Sequence, residues 1–376
     1  MRTHRRSIRN SLTTTCLLGV FGLSGPLTAA AKDLPRIVAY VRDGTAPETI
    51  HPEKLTHINF AFARIDAQGK VALPHAGIPK ELARLRELKA RNPQLKILIS
   101  VGGWTADGFS DAASSAAARD VFAASAVALL REYALDGIDL DWEYPGQDVA
   151  GIKARPEDKH NFTLLLETLR KQLDRGRSHY LLTIASADRE YFDHTEMDKL
   201  HVYLDWINVM TYDFFNSLTS TTGHHAGLYP SPYAAAGDRN GDASIRQHLA
   251  AGIPARKLVL GAAFYGRAFA GVNPLHDGLN QPYERFEAAY PYAELVEKFV
   301  DRQGFARHWD DVAKAPFLWN AATRTFISYE DPQSLAVKAE YVRTHRLGGM
   351  MFWELSQDRD GRLLDEIVTG LRPVSH

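Results

Sequence analysis

Cysteine is nearly absent from this chain: its 376 residues hold one, Cys16. A protein so poor in thiols has neither a disulfide framework nor a cysteine-ligated metal, and its stability must come from a packed core. Charge of one sign is lacking too, with 44 basic against 45 acidic residues. That balance excludes the basic stripe with which proteins grip nucleic acid. Long apolar runs are missing as well. The stretch from Leu12 to Leu23 is well short of the ~20 residues a membrane span needs. Arg2, Arg5, Arg6 and Arg9 precede it and Ala29-Ala30-Ala31 follows, so residues 1–31 are expected to be a cleaved secretory signal. The Arg5-Arg6 pair leaves Sec and twin-arginine export both open. Cys16 lies inside this segment, preceded by Thr13-Thr14-Thr15 where a lipoprotein signal would be apolar. Cleavage removes four arginines and no acid, which takes the formal charge from −1 to about −5 and leaves no thiol. The expected product is a mildly acidic secreted protein, extracellular or periplasmic, with no membrane attachment and no nucleic-acid partner. No internal repeat, low-complexity linker or second catalytic unit interrupts it.

What is present is alternation. Strand-like runs fall at Arg36–Val41, His57–Ala63, Lys96–Ser100, Gly137–Tyr144, Leu181–Ala187, Trp206–Tyr212, Leu258–Tyr265 and Gly349–Trp353. Helical periodicity separates them, at Pro79–Arg91, Ala116–Tyr133, Lys159–Arg175, Ser244–Ala251 and Pro332–His345. Eight strands joined by crossovers predict an α/β fold, a parallel (β/α)8 TIM barrel occupying residues 32–376. Catalytic groups of such a barrel gather where its strands end. From 270 to 326 the chain is too long for a simple crossover and carries many aromatics, among them Tyr283, Phe286, Tyr290, Trp309, Phe317 and Trp319. A structureless loop of that length is improbable, so a small α+β insertion is expected between strand 7 and strand 8, walling one side of a cleft.

The stretch from Asp136 to Gly146, DGIDLDWEYPG, concentrates the chemistry. On a strand alternate side chains share a face. Asp139, Asp141 and Glu143 therefore point one way, and Ile138, Leu140 and Trp142 the other. Three carboxyl groups on one buried face raise one another's pKa, so at least one is expected to hold a proton near neutral pH. A structural strand gains nothing from this, whereas an acid catalyst requires it.

The same residues resemble the Asp-x-x-Asp-x-Asp-x-Glu signature of family 18 glycoside hydrolases, the chitinases, at Asp136, Asp139, Asp141 and Glu143. The aromatic-rich insertion resembles that of the deep-cleft, secreted bacterial chitinases of the family. The segment FISYEDPQSLAVKAEYVRTHRLGGMMFWELSQD is similar to the family's approach to its last strand.

Other stretches gain meaning from that resemblance. KILISVGGW ends a strand in two glycines, of which Gly103 lets a ligand or backbone approach, and in Trp104, an indole for a sugar ring. A plain strand-to-helix turn would explain the glycines alone. WINVMTYDF places Met210 and Tyr212 on one face with Asp213 at the strand end; it resembles the family's Met-x-Tyr-Asp pattern, which implies that Tyr212 holds the substrate's acetamido oxygen and Asp213 binds a sugar hydroxyl or amide. TGHHAGLY also resembles the family, but Leu218 and Phe215 stand where a tryptophan and a histidine are usual. Tyr265 and Arg267, two apart, can both reach the cleft or simply sit exposed. Trp353 has the family role of a platform beneath the ring being cleaved, with a core tryptophan as the alternative. Tyr40 and Phe62 would line the same pocket or fill the barrel.

Most glycosidases use two carboxylates. Here Glu143 alone is placed to protonate a glycosidic oxygen, and no second carboxylate is an evident nucleophile. The resemblance implies substrate assistance, in which the sugar's own acetamido oxygen attacks its anomeric carbon. Glu143 is then general acid and base, Asp141 orients the amide, Asp139 shares a proton with Asp141, and Asp136 shapes the start of the strand. The implied substrate is chitin or N-acetylglucosamine oligosaccharides, cut by a monomer without cofactor or metal. The alternatives are an endo-β-N-acetylglucosaminidase acting on N-glycans, a chitin-binding lectin on the same barrel and, more remotely, a peptidoglycan hydrolase. Asp238 to Asp242 starts like a calcium loop, but Leu249 occupies the position that needs glutamate; a turn into a helix capped near Ser244 is expected. His224-His225 has no metal-site spacing.

Overall fold

The computed structural model describes Met1, residues 34–176 and residues 178–372. The expected export segment and Cys16 lie outside the described residues. Eight parallel strands form the barrel: β1 (Arg36–Arg42), β2 (His57–Ile65), β3 (Lys96–Gly102), β4 (Gly137–Asp141), β5 (Leu181–Ser186), β6 (Trp206–Val209), β7 (Leu258–Ala263) and β8 (Gly349–Trp353). Each pairs with its sequence neighbour, and β1 closes the circle by pairing with both β2 and β8. A two-residue strand, Val71–Ala72, extends β2 as a hairpin.

Four strands are shorter than the sequence suggests, 181–187 by one residue and 258–265 by two, and the other two by three. The run 137–144 leaves the ladder after Asp141, and 206–212 leaves it after Val209. Both end early because the backbone there turns to present side chains at the barrel mouth. The helices pack outside, where Phe122, Ala126 and Leu130 of Ala116–Glu132 and Phe162, Leu166 and Leu169 of Asp158–Leu173 meet the outward faces of the strands in one core. Helix ends follow local chemistry. Asp331 and Ser334 form a reciprocal capping box at Pro332–Thr344, and Asn240, rather than Ser244, caps Gly241–Ala250. Asn240 is the first residue there with an extended backbone and a side-chain acceptor free for the helix N–H groups.

Inside the barrel a second cluster, including Val38, Leu98, Val259 and Met351, fills the bore. Trp206 plugs its N-terminal end, with the His57 ring against its face edge-on at 4.6 Å and the Arg36 guanidinium 4.9 Å from its centroid. The insertion is a five-stranded antiparallel sheet in the order Arg285–Pro291, Tyr265–Ala270, Thr325–Ser328, Ala315–Asn320, Ala306–Asp310, with helix Tyr292–Lys298. It begins and ends further out than 270–326, because Tyr265–Ala270 and Thr325–Ser328 are its central strands. Phe269, Val272, Phe317, Trp319 and Phe326 form its own core, while Leu318 and Ile327 on the other face join the main one.

Candidate active site

Strand β4 is fixed from behind. Trp142 is 1% exposed; it stacks on Phe109 at 5.2 Å and meets Phe162 edge-on at 5.4 Å. Burying such a side chain stabilises by about 3 kcal/mol. Together with Ile138 and Leu140 it commits the alternate residues, Asp139, Asp141 and Glu143, to the bore and mouth.

Asp139 lies fully buried and is wrapped by donors from four strands. Tyr40 and Ser100 hydroxyls donate to Oδ2, each at 2.8 Å. Thr183 donates to Oδ1 at 2.5 Å and Asn208 Nδ2 at 3.2 Å. Burial raises its pKa and these four bonds oppose the rise. The carboxylate's four acceptor positions are thus all taken. The expected proton shared between Asp139 and Asp141 has no hydrogen bond to carry it among the described residues, and Asp141 Oδ1 is buried without a partner. Asp141 feels the charge of Glu143 more than that of Asp139. Burial pushes its pKa well up, the Glu143 and Asp139 charges add to the rise, and Arg64 opposes it. Glu143, partly open to the cleft, is raised to about 7, first by burial and then by the Asp213 charge, against a hydrogen bond from Tyr144. A carboxyl that is neutral near pH 7 can donate a proton there. Asp136, at the opposite end of β4, accepts from the Ile97 N–H at 2.8 Å and pairs with Lys89 and Lys96, so it anchors the strand start.

Across the mouth stands Asp213, with a left-handed φ of 58°. Tyr265 donates to its Oδ1 at 2.8 Å, and Arg267 adds Nε to Oδ1 and Nη2 to Oδ2 at 2.7 and 2.6 Å. Burial alone would raise this carboxyl, but the His225 ring and the Arg267 fork hold it well below the usual range. It is a fixed anion. Tyr212, 9% exposed, directs its hydroxyl at Met351 Sδ, 3.7 Å away, with no carboxylate partner. Met210 beside it is partly exposed.

The aromatic residues divide by exposure. Trp353 is partly open and stacks on Phe62 at 5.6 Å and 19°. Tyr40 is 1% exposed; it lies under Trp353, ring centroids 5.7 Å apart. Tyr40 therefore holds Asp139 and does not line the open cleft. Tyr265 is likewise buried and serves Asp213. Gly103 has φ +89°, and a Cβ there would come within 2.7 Å of the Phe62 ring; the neighbour packed against it is a side chain of the pocket itself. Its N–H donates to the Asp141 carbonyl at 2.8 Å. Trp104 is 48% exposed and meets Tyr144 edge-on at 6.3 Å, giving a second aromatic surface beyond Glu143. Leu218 is exposed, and Phe215 is buried against Gly223. Phe286 of the insertion packs on Phe269 and lies 5.8 Å from the Arg267 guanidinium.

Several participants were not singled out from the sequence. Ser100, Thr183 and Asn208 are ordinary polar residues whose only signal is inward parity on a barrel strand. Tyr144 and Arg64 lie two residues or fewer from recognised positions. His225, fully buried 3.6 Å from Asp213, stands out in the sequence only as part of the resembling loop and of a histidine pair without metal-site spacing. A separate cavity of about 610 Å³, lined by residues including Gly146, Arg155, Lys159 and His194, does not include Glu143, Asp141 or Trp353. It has volume without the carboxyl ladder or aromatic floor, and so is not the chemical centre. No group of three His, Cys, Asp or Glu among the described residues is placed to hold a metal ion, and no described helix is long and apolar enough to cross a membrane.

Comparison with known proteins meets this geometry. Residues 36–358 match the family described as glycosyl hydrolases family 18. The chain is 37% identical to Chitinase A1 of Niallia circulans, over 96% of this chain and 62% of that protein. It is 36% identical to Chitotriosidase-1 of Mus musculus, covering 83% and 69% respectively. Among solved structures, a family 18 N-acetylglucosaminidase from Paenibacillus barengoltzii superposes with a TM-score of 0.83 at 44% identity, covering 89% of this chain and 99% of that one. The chain spans a little under two thirds of Chitinase A1. From β1 to the turn after β8, the match covers the whole barrel and its insertion, and this chain belongs to glycoside hydrolase family 18.

Proposed function

We propose that this protein is a chitinase that cuts β-1,4 links between N-acetylglucosamine units by a retaining, substrate-assisted reaction. The observation that carries the proposal is the state of the two carboxyls at the mouth. Glu143 is poised near neutrality, while Asp213, across from it, is tied to Arg267 and Tyr265 and is no free nucleophile. Glycosidic cleavage with one usable acid needs a nucleophile from elsewhere, and the 2-acetamido oxygen supplies it. Glu143 protonates the leaving oxygen. The acetamido oxygen bonds to the anomeric carbon, giving an oxazolinium ion, and Glu143 then takes a proton from the water that opens it. The buried, partnerless Oδ1 of Asp141 accepts the acetamido N–H and offsets the developing positive charge. The Tyr212 hydroxyl, which has no carboxylate partner, holds the acetamido oxygen, Trp353 on Phe62 floors the reacting sugar, and Trp104, Met210 and Asp213 hold its neighbours. No cofactor enters. The enzyme acts as a secreted monomer on chitin or its oligosaccharides.

A second reading, release of single N-acetylglucosamine units, is favoured by the likeness to the Paenibacillus N-acetylglucosaminidase. A time course on chitotetraose separates them: disaccharide as the first product supports a chitinase, and monosaccharide alone the second reading. An N-glycan endo-β-N-acetylglucosaminidase would instead release glycan from a high-mannose glycoprotein, and a lectin would yield no product. Glu143→Gln should lose at least the ~10²–10⁴-fold typical of a general acid; near-normal turnover on chitotetraose would reject the assignment.

A further inference from the structure

Four carboxyls crowd the mouth, and three are accounted for. Asp139 has its four donors, Asp213 has Arg267, and Glu143 is the acid. Asp141 has no hydrogen-bonded partner at Oδ1. The groups that face it are Asp139 from its own strand, Glu143 and Tyr144 just past it, the Tyr40 hydroxyl from β1, Tyr212 from the segment after β6, and Tyr191 from the segment after β5. All are acidic or neutral. One cation acts on it from β2: Arg64.

We propose that Arg64 is a positioning residue of the active site, a fixed cation that braces the Phe62 floor and biases which of Asp141 and Glu143 carries their proton. The proposal rests on the catalytic reading of those two carboxyls.

The geometry is specific. Register pairs Ala63 of β2 with Val101 of β3, which brings Arg64 beside Gly102, and Gly102 pairs with Asp141 of β4. Arg64 Nη1 donates to the Gly102 carbonyl. Gly102 takes φ +118°, and a Cβ there would come within 2.1 Å of the Asp141 carbonyl oxygen, so β3 at this point is a backbone with no side chain between Arg64 and β4. Arg64 and Phe62, two apart, share a face, and the guanidinium lies 5.3 Å from the Phe62 centroid. Phe62 in turn stacks on Trp353. One side chain thus touches the aromatic floor and lies across Gly102 from Asp141. A surface arginine serving only as a brace needs a donor for Gly102 but no charge.

That difference is testable. A cation beside a coupled pair lowers both of its macroscopic pKa values, and removing it raises both. Arg64→Gln retains an N–H donor and discards the charge. Its kcat/KM profile on a chromogenic N-acetylglucosamine disaccharide is expected to move to higher pH at both limbs. The shift should be about half a pH unit, modest because Arg64 is exposed to solvent. Arg64→Lys, which keeps the charge, should restore the parental profile even where the fork to Gly102 is lost. Arg64→Met should show the shift together with a raised KM from a loosened Phe62. An Arg64→Gln profile that superimposes on the parent would overturn the proposal, as would an Arg64→Lys profile displaced as far as that of Arg64→Gln. Glu143→Gln measured alongside separates the two levels: if it stays active, the catalytic reading fails, whatever Arg64 does.

Discussion

Arg267 grips Asp213 at two points, Nε to Oδ1 at 2.7 Å and Nη2 to Oδ2 at 2.6 Å. The fork turns a buried carboxyl into a permanent negative charge facing Glu143. That charge adds to burial in holding the Glu143 proton.

Asp213→Asn should therefore make Glu143 a stronger acid. Glu143 works protonated, and its activity is lost as pH rises through about 7. Without the Asp213 anion the alkaline limb of kcat/KM should move to lower pH, by about half to one unit. The acid limb gives a control, since Asp213 in the parent is ionised throughout the working range. A limb that stays in place, or moves upward, would contradict the electrostatic link.

Gly103 has no room for a side chain. Gly103→Ala places a methyl group 2.7 Å from the Phe62 ring in a backbone with φ +89°. The expected cost is about 1–3 kcal/mol in urea unfolding. Displacing Phe62 also tilts the support of Trp353, so kcat/KM should fall roughly tenfold or more. Unchanged kinetics would mean that the floor is not set by this packing.

Behind the loop that carries His225, Lys338 and Glu330 form an ion pair in which both side chains are 1% exposed. Lys338 Nζ also donates to the Ala226 carbonyl at 2.7 Å, so the pair pins the loop that carries His225 against Asp213. Lys338→Met leaves Glu330 buried and unpaired and should cost about 3–5 kcal/mol. Adding Glu330→Gln should recover part of that loss, because the orphaned charge is gone. A single substitution costing under about 1 kcal/mol would show that the pair contributes little.

The barrel and its acid were legible because both depend on a period of two. Ile138, Leu140 and Trp142 had to face the core, which left Asp139, Asp141 and Glu143 no choice of side. Tyr265 and Arg267, two apart, both reach Asp213 as parity requires. What was hidden depends on contacts across the barrel. Nothing in the sequence of β1 says that Tyr40 is sealed beneath Trp353 and spends its hydroxyl on Asp139. The run from Leu258 to Tyr265 reads as one apolar strand, yet at Phe264 the chain passes from the parallel barrel to the antiparallel insertion. The Phe264 N–H there bonds to the Trp353 carbonyl at 2.8 Å. Both strands are hydrophobic because both are buried, so composition gives no mark of the change. Asn240 and Ser244 are each good capping residues, and only the backbone turn decides between them.

Cleavage rates on fully acetylated and fully deacetylated oligomers of equal length bear most directly on the chemistry. If the substrate's amide makes the displacement, chitotetraose is cut and its glucosamine counterpart is not, at any pH where Glu143 is protonated. Equal rates on the two would contradict the mechanism and require a nucleophile from the protein itself.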